Sequence, residues 1–276
     1  MPAKNVLKFY DQVIRRAEKL IATYPFAQEI LTFYIRIAEF QKSLRSRISS
    51  AADAQGLAHN ASSLRDELHA DSLLPWFKEF LGVVAQNGPA PLADSARQLS
   101  DAPSQSRADL LSAFWNPRDR ADQPNAAFDH FLARAFLQPY AEHLAERLAN
   151  EGSVSGFPLL CPFCGARPLL GVLRREGDGG KRFLMCSLCL REWEFRRIFC
   201  ATCAEETEAK LPVYVAEQFP YIRVEACDTC KFYVRTIDLT KDGNAVPLVD
   251  DLAAIPLSLW AEEHGYSRAQ PNLLGT

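Results

Sequence analysis

The chain has 276 residues, 48% of them apolar and 24% charged, with a formal net charge of −3. Such a composition excludes a disordered polymer, and the charge excludes a global positive field that would draw the chain onto nucleic acid or an anionic membrane. Its longest apolar run falls well short of the roughly 20 residues that cross a bilayer, so the expectation is a cytoplasmic protein without membrane insertion.

Helical periodicity opens the chain. Leu7, Ile14, Ala17 and Ile21 recur at helix spacing, with Lys8, Arg15, Arg16 and Lys19 between them. The Arg15-Arg16 pair resembles the start of a twin-arginine export signal, but Glu18 and Lys19 follow where an apolar stretch is required, so it reads as an exposed helix face. After a break at Tyr24-Pro25, a second helix runs from Phe26 to about Ser46 on Ile30, Phe33, Ile37, Phe40 and Leu44. A polar stretch, Ser49 to Ser63, precedes a helix over Leu64 to Gln86, which Pro75 should kink or restart, and Asn87-Gly88-Pro89 stops it. Shorter helices follow at Leu92–Leu99 and Ala108–Trp115, and a long one from Pro124 to Ala149 with Pro139 inside. His59, His69, His130 and His143 lie in this half without a partner at metal-ligand spacing and read as ordinary exposed or hydrogen-bonded histidines. Dinucleotide-binding, phosphate-binding and nucleophile-elbow motifs are missing, which weighs slightly against catalysis.

All eight cysteines follow within 70 residues as four Cys-x-x-Cys knuckles: Cys161/Cys164, Cys186/Cys189, Cys200/Cys203 and Cys227/Cys230. Knuckles one and two are 21 residues apart and three and four 23, close to the spacing of tetrahedral metal sites. Each knuckle aims two thiolates at one point, and a second knuckle across a hairpin completes the tetrahedron. Sequential pairing gives site one (Cys161, Cys164, Cys186, Cys189) and site two (Cys200, Cys203, Cys227, Cys230). A crossed pairing, a disulfide scaffold and a thioredoxin-type redox pair are the competing readings; near-equal spacing, the lack of a secretion signal and the hairpin context weigh against them in turn.

Strands are expected at Leu169–Arg174, Phe183–Met185 and Trp193–Phe199 in one copy, and at Pro212–Val215, Tyr221–Ala226 and Phe232–Asp238 in the other, a tandem repeat of about 40 residues. Modules that small depend on their metal, worth roughly 10 to 16 kcal/mol in comparable zinc modules. Four thiolates suit zinc and a rubredoxin-type iron alike. Gly165 permits the positive-φ turn of a rubredoxin knuckle, whereas Leu190, Ala204 and Lys231 follow the other three knuckles and keep zinc in play. A last helix is read over Leu252–His264.

The fold class is therefore α+β: an irregular α-helical bundle (residues 1–155), two tandem tetracysteine modules of rubredoxin-like or zinc-ribbon type (156–198 and 199–240), and a C-terminal helical tail (241–276). Trp193, Phe195, Tyr221 and Tyr233 are candidate interface anchors, although small ribbons more often bury such aromatics between themselves. Arg191, Arg196 and Arg197 are candidates for steering an acidic surface or tuning a metal-thiolate centre, with a solvated strand face as the equal alternative. From Cys161 to Thr240 there are 12 Lys and Arg against 11 Asp and Glu, which speaks against a nucleic-acid-binding zinc ribbon.

The knuckle runs Cys161-Pro-Phe-Cys-Gly, Cys186-Ser-Leu-Cys-x-x-Glu192-Trp193, Cys200-x-x-Cys203 and Glu225-x-Cys227-Asp-x-Cys230, with Asp250-Asp251-Leu252-Ala253 and Gly265-Tyr266 in the tail, resemble the formate dehydrogenase accessory protein family FdhE over about residues 157–268. That resemblance implies a cytoplasmic, non-enzymatic factor acting on the catalytic subunit of formate dehydrogenase before export. It also implies two rubredoxin-like sites at the eight cysteines, with iron favoured over zinc. A homodimer is left open, as is a rubredoxin-like redox or oxygen-sensing role.

Overall fold

The computed structural model describes residues 3–55, 64–116, 126–148, 156–177 and 179–275. The fold is α+β: a helical region, then a sheet region with two cysteine clusters, then C-terminal helices. Two compact units divide the chain, one of residues 1–14 and 32–150, the other of residues 15–31 and 151–274. Among the described residues no helix is long and apolar enough to cross a membrane.

The helical unit draws on α1 (Ala3–Thr23), α2 (Gln28–Gln55), α3 (Ala70–Asn87), α4 (Ala90–Asp101), α5 (Ser104–Trp115) and α6 (Ala126–Leu148). Its centre is aromatic: Phe77 lies 4.8 Å from Phe136 and Phe40 lies 5.2 Å from Phe80, ring centre to ring centre. Leu81, Leu111 and Trp115 are fully buried around them, and the Trp115 indole donates to the Arg65 carbonyl at 2.8 Å. Arg107 ends α4 by donating from Nη1 to the carbonyls of Leu99, Ser100 and Ala102, acceptors that the helix leaves unpaired. Pro75 falls in the second turn of α3 and Pro139 within α6, and neither divides its helix. His69 precedes α3, His130 meets Phe114 edge-on, and His143 lies 2.9 Å from Arg45; His59 lies outside the described residues.

Two expectations at the chain start need correction. The buried stripe of α1 is Tyr10, Val13, Ala17 and Leu20, which shares Ala17 with the expected one; Ile14 and Ile21 are half-buried, and the Leu7 side chain lies outside the described residues. Arg15 is exposed but Arg16 is buried, its guanidinium donating to Asp250 at 3.0 Å and Asp242 at 2.9 Å. The pair is therefore not an exposed face.

The second unit is built on one sheet of seven strands: β1 (Pro168–Glu176), β2 (Gly179–Cys186), β3 (Glu192–Glu194), β4 (Val213–Val215), β5 (Ile222–Ala226), β6 (Phe232–Asp238) and β7 (Ser267–Arg268). The order is β3-β2-β1-β6-β5-β4, with β7 also beside β6. Each cysteine copy thus contributes a three-stranded antiparallel piece, and the first strand of copy one runs parallel to the last strand of copy two, Gly171 opposite Thr236 and Leu173 opposite Asp238. The two joining strands, β1 and β6, are nine and seven residues long, while the outermost, β3 and β4, have three each. Gly171 permits the junction: a Cβ there would overlap the Thr236 hydroxyl and stand 3.1 Å from the Thr236 Cβ.

Copy one's third strand is Glu192–Glu194 rather than Trp193–Phe199. Arg182 takes the chain away from the sheet by donating to the carbonyls of Arg196 at 2.8 Å and Phe199 at 3.3 Å. The expected single C-terminal helix is two, α7 (Pro247–Ala253) and α8 (Ile255–Glu263). Pro256 has no N–H to donate to the Leu252 carbonyl four residues back, so a continuous helix is interrupted and the chain breaks at Ala254. These helices cover one sheet face: Ile222, Val224, Tyr233 and Ile237 share a core with Ala254, Leu257 and Ala261. Inside it Arg235 pairs with Asp251 at 2.8 Å, and Arg268 and Asn272 donate to the same carboxylate. Burial alone would raise Asp251, but the two arginines outweigh it and hold the group below the usual carboxylate range.

Candidate metal centres

Every knuckle closes in the same way. The first cysteine donates its backbone N–H to the carbonyl five residues on: Cys161 to Ala166, Cys186 to Arg191, Cys200 to Glu205 and Cys227 to Phe232, at 2.8 to 3.0 Å. The residue after the second cysteine has positive φ in all four: Gly165 (71°), Leu190 (55°), Ala204 (63°) and Lys231 (60°). Lack of glycine in three knuckles therefore does not change their backbone; the turn overrides residue preference. In knuckles two and three, N–H groups two and three residues on point at the first sulfur: Leu188 and Cys189 at Cys186 Sγ, 3.3 and 3.4 Å, and Thr202 and Cys203 at Cys200 Sγ, 3.4 and 3.5 Å.

Knuckles pair sequentially. Cys161, Cys164, Cys186 and Cys189 form one cluster and Cys200, Cys203, Cys227 and Cys230 the other, the ligand atoms of each lying within 4.8 Å of one another. Sulfur separations are 3.6 Å (Cys161–Cys189) and 3.3 Å (Cys164–Cys186) in the first, 3.8 Å (Cys200–Cys230) and 3.7 Å (Cys203–Cys227) in the second. A tetrahedron with sulfurs about 2.3 Å from a central ion has edges of about 3.8 Å, so each cluster fits one ion, the first cluster slightly contracted. Burial, aided by Cys161 and Cys164, pushes the Cys186 thiol well up, and a cation at the centre would compensate four thiolates packed this closely.

Surroundings differ between the clusters. All four cysteines of the first are buried, whereas in the second Cys203 is exposed and Cys230 half-buried. The residue before the second cysteine of each knuckle is apolar in the first site, Phe163 and Leu188, and a threonine in the second, Thr202 and Thr229. Arg191 lies over Phe163, 4.8 Å from the ring centre. Beside the second site, Glu205 accepts from Thr229 Oγ1 at 2.6 Å and from the Thr207 N–H at 2.9 Å; these bonds bring its carboxyl down to about 2. The Gly265-Tyr266 pair reaches the fourth knuckle: Tyr266 OH donates to Asp228 at 2.8 Å, Ser267 N–H donates to the Lys231 carbonyl at 2.8 Å, and Lys231 Nζ stands over the Tyr266 ring.

Trp193, Phe195, Tyr221 and Tyr233 are buried, so none is an exposed anchor. Arg196 pairs with Glu206 at 3.1 Å and Arg182 with Glu225 at 2.6 Å, both bridging the two cysteine copies. The Arg16–Asp250 and Arg235–Asp251 pairs were invisible in sequence, because their members lie far apart in the chain; the acidic pair Asp250-Asp251 was its visible half.

The fold and clusters define a class: a helical protein carrying a tandem tetracysteine ribbon in one continuous sheet. Residues 160–197 match the family description "FdhE, central domain" and residues 198–274 match "FdhE, C-terminal domain". The chain is 28% identical over 282 residues to the "Protein FdhE homolog" of Aquifex aeolicus, with 98% of each chain covered. It is 32% identical over 208 residues to the homolog of Pseudomonas aeruginosa, covering 73% of this chain and 66% of that one. The crystal structure of the FdhE protein from Pseudomonas aeruginosa matches with a TM-score of 0.69 at 26% identity, covering 97% of this chain and 95% of that one. The chain belongs to the FdhE family.

Proposed function

We propose that the eight cysteines hold two metal ions and that the protein is a non-enzymatic, cytoplasmic accessory factor that binds the catalytic subunit of formate dehydrogenase during its maturation. Convergence of four sulfurs in each cluster at separations near a tetrahedral edge carries the metal half of this reading. Family membership supports the biological half. Iron is the favoured ion on the family resemblance; the positive-φ turns of the four knuckles suit it, and zinc accepts the same donors. In this reading residues 156–198 and 199–240 are the metal modules, 1–155 the helical domain and 241–276 a tail that braces the second module.

A rubredoxin-like redox or oxygen-sensing role is the second reading, favoured by the open corner of the second cluster. Metal analysis and a visible spectrum on protein purified without oxygen, followed by air, separate the two. About two irons per chain, with thiolate-to-iron absorption appearing in air, keep redox chemistry in the function; two zincs without colour leave partner binding. Purified protein is expected to retain the formate dehydrogenase catalytic subunit on an affinity column, and a failure to do so at micromolar concentrations would reject the accessory role.

A further inference from the structure

The two clusters share donors and backbone but not their covers. In the first, all four sulfurs are buried, Leu188 is buried beside them, and Arg191 rests on Phe163. In the second, Cys203 is exposed and the apolar covers are replaced by Thr202, half-buried, and Thr229, exposed. Both knuckles of the second site turn on residues with a Cβ, Ala204 and Lys231, whereas the first site has Gly165 at one of its two turns. Within the second site the fourth knuckle is braced: Tyr266 holds Asp228, and Ser267 holds the Lys231 carbonyl. The third knuckle is closed by Cys200 N–H to the Glu205 carbonyl and Ala204 N–H to the Cys200 carbonyl, and it reaches the fourth through Glu205, which accepts from Thr229 Oγ1 at 2.6 Å.

We infer that the sites are unequal: the first is a closed structural centre, and the second is the exchange site, opened at Cys203, where thiol-directed reagents and competing metal ligands gain access. This rests on the reading that both clusters hold metal. Thiolate reactivity follows exposure, and an exposed ligand is reached by reagents and competing ligands before buried ones. Once off the ion, the Cys203 thiolate adds to the double bond of a maleimide. A carbon–sulfur bond forms, the adjacent carbon takes a proton from water, and the site is left with three sulfurs.

The test uses the full chain loaded with zinc, its content measured first, then treated with N-ethylmaleimide in the presence of a coloured zinc chelator. Expected are one equivalent of zinc released at least about tenfold faster than the other, and Cys203 as the first cysteine to gain the reagent's mass. Thr202→Leu, which restores an apolar cover without touching a ligand, should slow the fast phase several-fold and leave the slow one unchanged. Cys203→Ser should remove the fast labelling and preserve the slow equivalent. Equal release of both zincs, or first labelling at Cys161, Cys164, Cys186 or Cys189, overturns the inequality while leaving the metal reading intact. A chain that takes up no zinc or iron defeats the metal reading itself and this inference with it.

Discussion

Leu190, Ala204 and Lys231 hold positive φ angles that an L-residue resists by roughly 1 to 2 kcal/mol, and closure of the knuckle outweighs that resistance. Ala204→Gly should therefore stabilise the metal-loaded protein by about 1 kcal/mol, read as a rise in melting temperature, and Gly165→Ala should cost a similar amount. Glu142 makes a second case at this scale. It is buried in the helical unit beside Tyr10, which donates to it at 3.0 Å, and Tyr34, with Arg45 and Glu146 also acting on it. Burial pushes its carboxyl up to about 8 from an ordinary 4.5, against the lowering effects of Tyr10 and Arg45. Between those values the folded state keeps a proton that the unfolded chain has released, so stability falls as pH rises through this window. Unfolding of Glu142→Gln should lack that decline, which amounts to roughly 3 to 5 kcal/mol in the parent. Sequence revealed Gly165 as a turn residue because glycine declares its conformation. It could not reveal the same turn at Ala204, where geometry set by distant sulfurs dominates, nor a buried acid on a helix whose neighbours include Tyr10.

Among the elements, hairpin strands were legible where alternation and turn residues coincide, and Phe232–Asp238 was read to the residue. The third strand of copy one was not, because Arg182 redirects the chain through carbonyls that have no sequence code. Nor was the pairing of β1 with β6, which depends on a missing side chain at Gly171 rather than on a pattern. Gly171→Ala should cost about 1 to 3 kcal/mol through overpacking against Thr236. Thr236→Ala should return part of that loss in the double variant, and strictly additive denaturation midpoints would show that the contact is not the cause.

For the molecule as a whole, the cysteine pairing followed from spacing, since two hairpins of similar length close two separate tetrahedra more readily than one crossed pair. Long-range ion pairs were illegible, although they tie distant parts of the chain together. Arg16→Ala leaves Asp250 buried and short of its cation, and should destabilise the protein by about 3 to 5 kcal/mol in denaturant unfolding; Arg16→Lys, a point charge in place of a fork, should recover only part. Cys161→Ser or Cys227→Ser should lower the metal content from two ions per chain to one, and an unchanged count of two would remove those residues from the ligand set.

The junction of the two copies has a further consequence. Copy one offers its first strand to the last strand of copy two, so the contact repeats by translation and does not close on itself. At the two ends of the main strand order stands a matching pair of edges, β3 and β4, with Val213 and Val215 exposed on β4. Longer edges of this kind would let molecules add to one another without limit, as in a growing filament. The three-residue length of each edge leaves too few backbone bonds for that addition, so brevity at β3 and β4 serves as the chain's protection against its own repeat.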